Sequence, residues 1–157
     1  GALRLINQMV KHPTWNASRI VERDSTAVFR SLVRLRRVAR PGSLIFMLSD
    51  FRNLDEKMES QLLLLSRHTD IVMVFIYDQL ERALPAAGLY RVSNGREEQM
   101  LDTYDRNRSE SYQQHFRAHQ QRLERLAKNS SIHLINCSTE EQPLAVLQKG
   151  LGKKIKR

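Results

Sequence analysis

Cysteine is nearly absent. The single thiol, Cys137, excludes an internal disulfide, and 157 residues are enough to build a core without one. No apolar run approaches the roughly 20 residues of a membrane-spanning helix. The longest, Ile71 to Tyr77, is strand-sized. No glycine-rich phosphate loop follows any apolar segment, and the Gly-x-Ser-x-Gly pattern of a nucleophile elbow does not occur. Aromatic residues make up only 6% of the chain, and the Tyr and Phe available for base stacking stand at core-like positions. These absences exclude a disulfide scaffold, a helical membrane span within the chain, and the common nucleotide-binding and acyl-transfer motifs.

Positive charge, by contrast, is in excess. Twenty-six basic residues against 17 acidic ones give a net charge of +9, which favours acidic partners such as nucleic acid, anionic headgroups or an acidic protein face. A charge total is not a site, and a basic soluble surface is the simpler account of it. The chain opens on Gly1-Ala2 with no methionine and no signal peptide. It reads as a cytoplasmic piece of a longer protein, with room for a membrane anchor upstream.

Hydrophobic periodicity divides the chain into one α/β unit over 1–157. Residues 1–23 read as a short helix, with Leu3, Ile6 and Val10 at helical spacing, followed by a loop around Pro13. The α/β core runs over 24–150, and 151–157 is a basic tail. Asp24 or Ser25 caps a helix to about Ala39 whose inner face is Val28, Leu32, Leu35 and Ala39, and Pro41-Gly42 ends it. Ser43 to Ser49 is a solid apolar run, as expected of a strand buried on both faces. Asn53 with Glu56 resembles a capping box for a helix to about Arg67 that buries Leu54, Met58, Leu62 and Leu65. Ile71 to Tyr77 is the second strand, so the two runs and the helix between them predict a parallel βαβ unit. Asn94-Gly95 between Leu89–Ser93 and Glu97–Thr103 signals a hairpin. A long helix over about 105–128 carries the stripe Tyr112, Phe116, His119, Leu123 and Leu126. Ser131 to Asn136 is expected as a third strand, with Ser138 and Glu141 opening a last helix that ends near Gly150.

Particular wording accompanies this order. Residues 40–51 read Arg-Pro-Gly-Ser-Leu-Ile-Phe-Met-Leu-Ser-Asp-Phe, followed by Tyr77-Asp78, Glu81, Leu84-Pro85 and Gly88. From about Asp24 to about Lys149 the chain resembles a bacterial family known as domain of unknown function fifty-eight, a branch of the von Willebrand factor A-like domains. The resemblance implies a three-layer Rossmann-like parallel sheet flanked by helices, here without its first strands and with an inserted β-hairpin. It also implies a metal-ion-dependent adhesion site and a MoxR-type AAA+ ATPase as partner. Asp50 matches the aspartate loop of that site and Thr26 its threonine. The Asp-x-Ser-x-Ser segment is absent; the nearest string, Asp24-Ser-Thr-Ala-Val28, has other residues on another element. Mg²⁺ is therefore expected in an intact domain, with none bound by this chain.

Spacing alone gives a compatible picture. Ligands of open parallel sheets sit beyond the carboxyl ends of the strands, where Ser49-Asp50, Asp78 and Cys137-Ser138 fall. Oxygen ligands suit a hard cation, but Asp after a strand is more often a cap or turn former. His115 and His119 stand four apart like zinc ligands, yet no further ligand accompanies them, and a core histidine beside an exposed one is the simpler account. Arg30, Arg34 and Arg37 form a basic helical stripe that would suit phosphate or an acidic partner. Ser49, Asp78 and these three arginines are thus the candidate partner-binding residues, beside Asp50 and Thr26 for metal. No catalytic residue stands out.

The run over 43–49 also carries neither Lys nor Pro. The resembled fold places the missing first strand beside it, so without that strand this run becomes a sheet edge, which native proteins cover. Self-pairing into a homodimer, or residues 1–23 folding across it, is the expected remedy. The function expected is a non-enzymatic protein-interaction module. Its alternative is phosphate or nucleic-acid binding through the basic helix face, with nucleic acid not the expected partner.

Overall fold

Two apolar runs become neighbouring strands of a parallel sheet. The computed structural model describes residues 2–11, 25–93 and 97–152. Its elements are α1 (Ala2–Val10), α2 (Ser25–Val38), β1 (Leu44–Ser49), α3 (Glu56–Ser66), β2 (Asp70–Tyr77) and α4 (Gln79–Arg82). There follow β3 (Leu89–Ser93), β4 (Glu98–Asp102), α5 (Arg106–Asn129), β5 (His133–Ser138) and α6 (Pro143–Gly152). β1, β2 and β5 form a parallel sheet in that order, and β3 pairs with β4 as a separate antiparallel hairpin. The α/β architecture read from the sequence is the one observed. The loop over 12–23, the Asp24 cap, the Asn94-Gly95 turn and the tail from Lys153 onward lie outside the described residues.

β2 is the central strand, and its burial follows from that place. Ile71 to Phe75 are all buried, because helices or strands cover both faces and both edges. One face packs on α2, α3 and α5 through Leu32, Met58, Leu62, Met73, Phe75 and Leu123. The other face packs Val72, Val74, Ile135 and Cys137 against Val146 and Leu147 of α6. α6 comes so close that a Cβ on Gly150 would stand 2.7 Å from Ile135 Cδ1, which explains a glycine inside a helix. Among the described residues no helix is long and apolar enough to cross a membrane.

β1 departs from the expected burial on both faces. Ile45 and Met47 pack against the helical core, but Leu44, Phe46 and Leu48 are exposed. The reason is tertiary: among the described residues β1 has a neighbour on one edge only. Local corrections have local causes. α3 is capped by Asp55, whose carboxylate accepts the Met58 N–H at 2.8 Å, and not by Asn53. Asp105 caps α5 by accepting from the Asn107 and Arg108 N–H groups. β5 begins two residues later than expected, since Ser130 still closes α5 and Ser131 turns the chain at φ 54°. The last helix begins at Pro143, while the Ser138 N–H donates to Glu141 Oε2 at 2.9 Å.

Candidate interaction site at the carboxyl edge of the sheet

Beyond β1 the chain turns within two residues. Phe51 adopts φ 51° yet buries its ring. A left-handed non-glycine residue costs roughly 1–2 kcal/mol, and burying a phenylalanine returns about 1.5–3 kcal/mol. Packing therefore holds the turn. The Phe51 N–H donates to Ser49 Oγ at 3.0 Å and the Arg52 N–H to Asp50 Oδ1 at 3.2 Å. From α5, His119 Nε2 stands 2.9 Å from the Asp50 carbonyl oxygen. That oxygen can only accept, so Nε2 carries the proton.

Arg52 joins this turn to the next loop. Its guanidinium lies 3.6 Å from Asp50 Oδ2 and 2.7 Å from Glu81 Oε2 on α4. Beside it a cleft is walled by Phe75, Phe116 and Tyr112, with His115 and His119 facing it. Burial, and then the negative charge of Glu81, push the Tyr112 hydroxyl above its ordinary value.

Asp78 has a different role. Ser49 pairs with Phe75, so Asp50 stands level with Ile76 and Asp78 lies two residues further along, about 6.6 Å at strand rise. Asp78 Oδ1 accepts the Leu80 N–H at 2.9 Å and caps α4, while Oδ2 accepts the Thr139 hydroxyl at 2.8 Å. These two bonds, the backbone one first, hold its carboxyl below the usual aspartate range. A depressed folded-state value contributes stability above the unfolded Asp value of about 3.9, lost as pH falls through the folded value. Thr139→Val should bring the Asp78 titration back part of the way, read by carboxyl-carbon NMR between about pH 2 and 5. An unmoved midpoint would contradict the bond. Near it Gln79 Nε2 donates to Ser138 Oγ at 3.2 Å. Burial, then Glu141, push the Cys137 thiol up, away from the nucleophilic thiolate.

A cavity of about 250 Å³ opens between α2, β1 and α3, with apolar walls and Ser49, Asp50 and Asn53 among its lining. From α2 it takes Val28, Ser31, Leu32 and Leu35. Thr26 sits exposed in the first turn of α2 and is not part of that lining. Ser49 and Asp50 thus share this lining. Among the described residues no three His, Cys, Asp or Glu side chains come together to hold a metal. The Asp50 carboxylate is instead engaged by Arg52. His115 and His119 also part, His115 Nδ1 turning to the Ser111 carbonyl at 2.7 Å. Arg30, Arg34 and Arg37 are exposed, and among the described residues none is in an ion pair. Sequence reasoning missed Arg52 and Thr139. Arg52, two residues after a strand-ending aspartate, was the available signal; Thr139 had none, since its contact spans 61 residues.

The family described as protein of unknown function DUF58 matches residues 3–122. No curated protein and no solved structure matches the chain.

Proposed function

This chain belongs to the DUF58 family, and on that premise we propose that it is a non-enzymatic protein-interaction module. Its contact surface is the turn around Asp50, and its partner is a MoxR-type AAA+ ATPase. The observation that carries this reading is the bracing of the turn. A buried, left-handed Phe51, the His119 bond to the Asp50 carbonyl and the Arg52 link to Glu81 hold Asp50 from three elements. Groups held this way present a fixed shape at no ordering cost on binding. Support for the absence of catalysis lies in how the edge groups are occupied. Asp78 is a helix cap, the Cys137 thiol is pushed up and buried, and Ser138 is bonded to Gln79.

Calorimetry of the chain against a purified MoxR-type ATPase tests this. Asp50→Ala should weaken binding at least about tenfold, as removal of one partner of an interfacial charge pair does. Unchanged affinity would remove Asp50 from the contact.

A second reading rests on the exposed Arg30, Arg34 and Arg37, which could hold phosphate groups or nucleic acid. Affinity for a duplex would then fall steeply with salt and with Arg34→Glu while ignoring Asp50.

A further inference from the structure

We infer that the cleft between α4 and α5 is a binding site for a guanidinium group, carried by a small molecule or by an arginine side chain. The inference rests neither on Asp50 as a contact nor on a partner ATPase. It starts from what the polar groups of the cleft have left to offer. The cleft measures about 380 Å³, within the roughly 300–1,000 Å³ of small-ligand sites. His119 Nε2 donates to the Asp50 carbonyl, and His115 Nδ1 stands 2.7 Å from the Ser111 carbonyl. Both carbonyls only accept, so in the neutral rings these two nitrogens hold the protons. His119 Nδ1 and His115 Nε2 are then lone-pair acceptors, and neither has a partner among the described residues. The two residues stand four apart on α5, about 6 Å along its axis, and both line the cleft.

Charge points the same way. The Arg52 guanidinium is already engaged by Asp50 Oδ2 at 3.6 Å and Glu81 Oε2 at 2.7 Å, so it is no free receptor for an anion. The charge of Asp78 also reaches Tyr112. Asp50, Asp78 and Glu81 therefore outnumber Arg52 and the Arg108 of the adjoining hollow. On a chain of net charge +9, this rim carries a local excess of negative charge.

The walls suit a flat cation. Phe75, Phe116 and Tyr112 line the cleft. Tyr112 is 38% exposed, and among the described residues its ring meets no other ring. Burial, and then Glu81, hold its hydroxyl in the protonated form, so the ring stays neutral. A guanidinium can lie on such a ring while its fork of N–H groups, all donors, meets the two imidazole lone pairs and the Glu81 carboxylate. A quaternary ammonium brings the charge but no donor, and a urea brings donors but no charge.

Those two chemistries are the controls. The full chain is titrated with n-butylguanidinium at about 0.15 M salt, where charges are screened beyond about 8 Å. NMR follows the ring protons of Tyr112, Phe116 and His119. Saturable shifts at millimolar n-butylguanidinium are expected, with affinity at least about tenfold above n-butylurea and n-butyltrimethylammonium. His115→Phe keeps a ring at the wall but removes one acceptor, and should weaken binding about threefold to tenfold. Glu81→Gln removes the carboxylate and should weaken it about tenfold. His115 is exposed and Glu81 half-buried, so both variants should keep the parent far-UV spectrum. A blocked Gly-Arg-Gly peptide separates the sources. Binding about tenfold tighter than n-butylguanidinium assigns the site to a partner's arginine; equal or weaker binding assigns it to a small guanidine. No saturation at about 50 mM, equal binding of either control, or parent-like affinity in both folded variants would each overturn the inference.

Discussion

Replacing Phe75 with alanine should lower the unfolding free energy by about 3–5 kcal/mol, the range for emptying a fully packed aromatic site. Phe75 is 1% exposed on the central strand. Its ring lies 5.3 Å from Tyr77, 5.9 Å from Phe116 and 5.5 Å from His119. Four aromatic rings thus tie β2 to α5, and alanine would leave a void that α5 can close only by shifting. Domains of this size hold about 5–15 kcal/mol in total, so the variant should unfold at far lower urea. Because His119 shares the cluster and meets the Asp50 carbonyl, the Asp50 turn should loosen as well. Urea unfolding followed by circular dichroism reads the first effect and exchange of the Arg52 amide the second. A loss under about 1 kcal/mol would show that the ring is not the anchor its burial indicates.

At Phe51 two opposing effects can be separated. Alanine there removes a buried ring and keeps the left-handed backbone, so it should cost about 3 kcal/mol or more. Glycine removes the same ring but relieves roughly 1–2 kcal/mol of backbone strain. Against that relief stands the larger freedom of glycine in the unfolded chain, about 0.4–1 kcal/mol. The relief is the larger, so Phe51→Gly should be more stable than Phe51→Ala by about 0.5–1 kcal/mol, the reverse of the usual order. Paired denaturation curves decide it. If alanine proves equal or better, φ 51° is not a strained state and the packing of Phe51 does not force the turn.

Much of the site was legible locally. Asp50 and Asp78 follow apolar runs, and Asp after a strand is a common turn or cap former. Both carboxylates do accept backbone N–H groups two residues on. What could not be read is the company they keep. His119 reaches Asp50 across 69 residues and Thr139 reaches Asp78 across 61, and no periodicity carries such pairings. The zinc-like spacing of His115 and His119 also dissolves in three dimensions, one ring turning to its own helix and the other to the sheet edge.

The pattern of apolar residues determined the parallel βαβ unit and the long α5, because burial at period two or 3.6 is a property of the chain itself. Tertiary structure alone decided that Leu44, Phe46 and Leu48 stay exposed on β1 and that Arg52 bridges Asp50 to Glu81. Neighbours fix these features: exposure depends on what lies alongside a strand, and an ion pair on where separate loops come to rest.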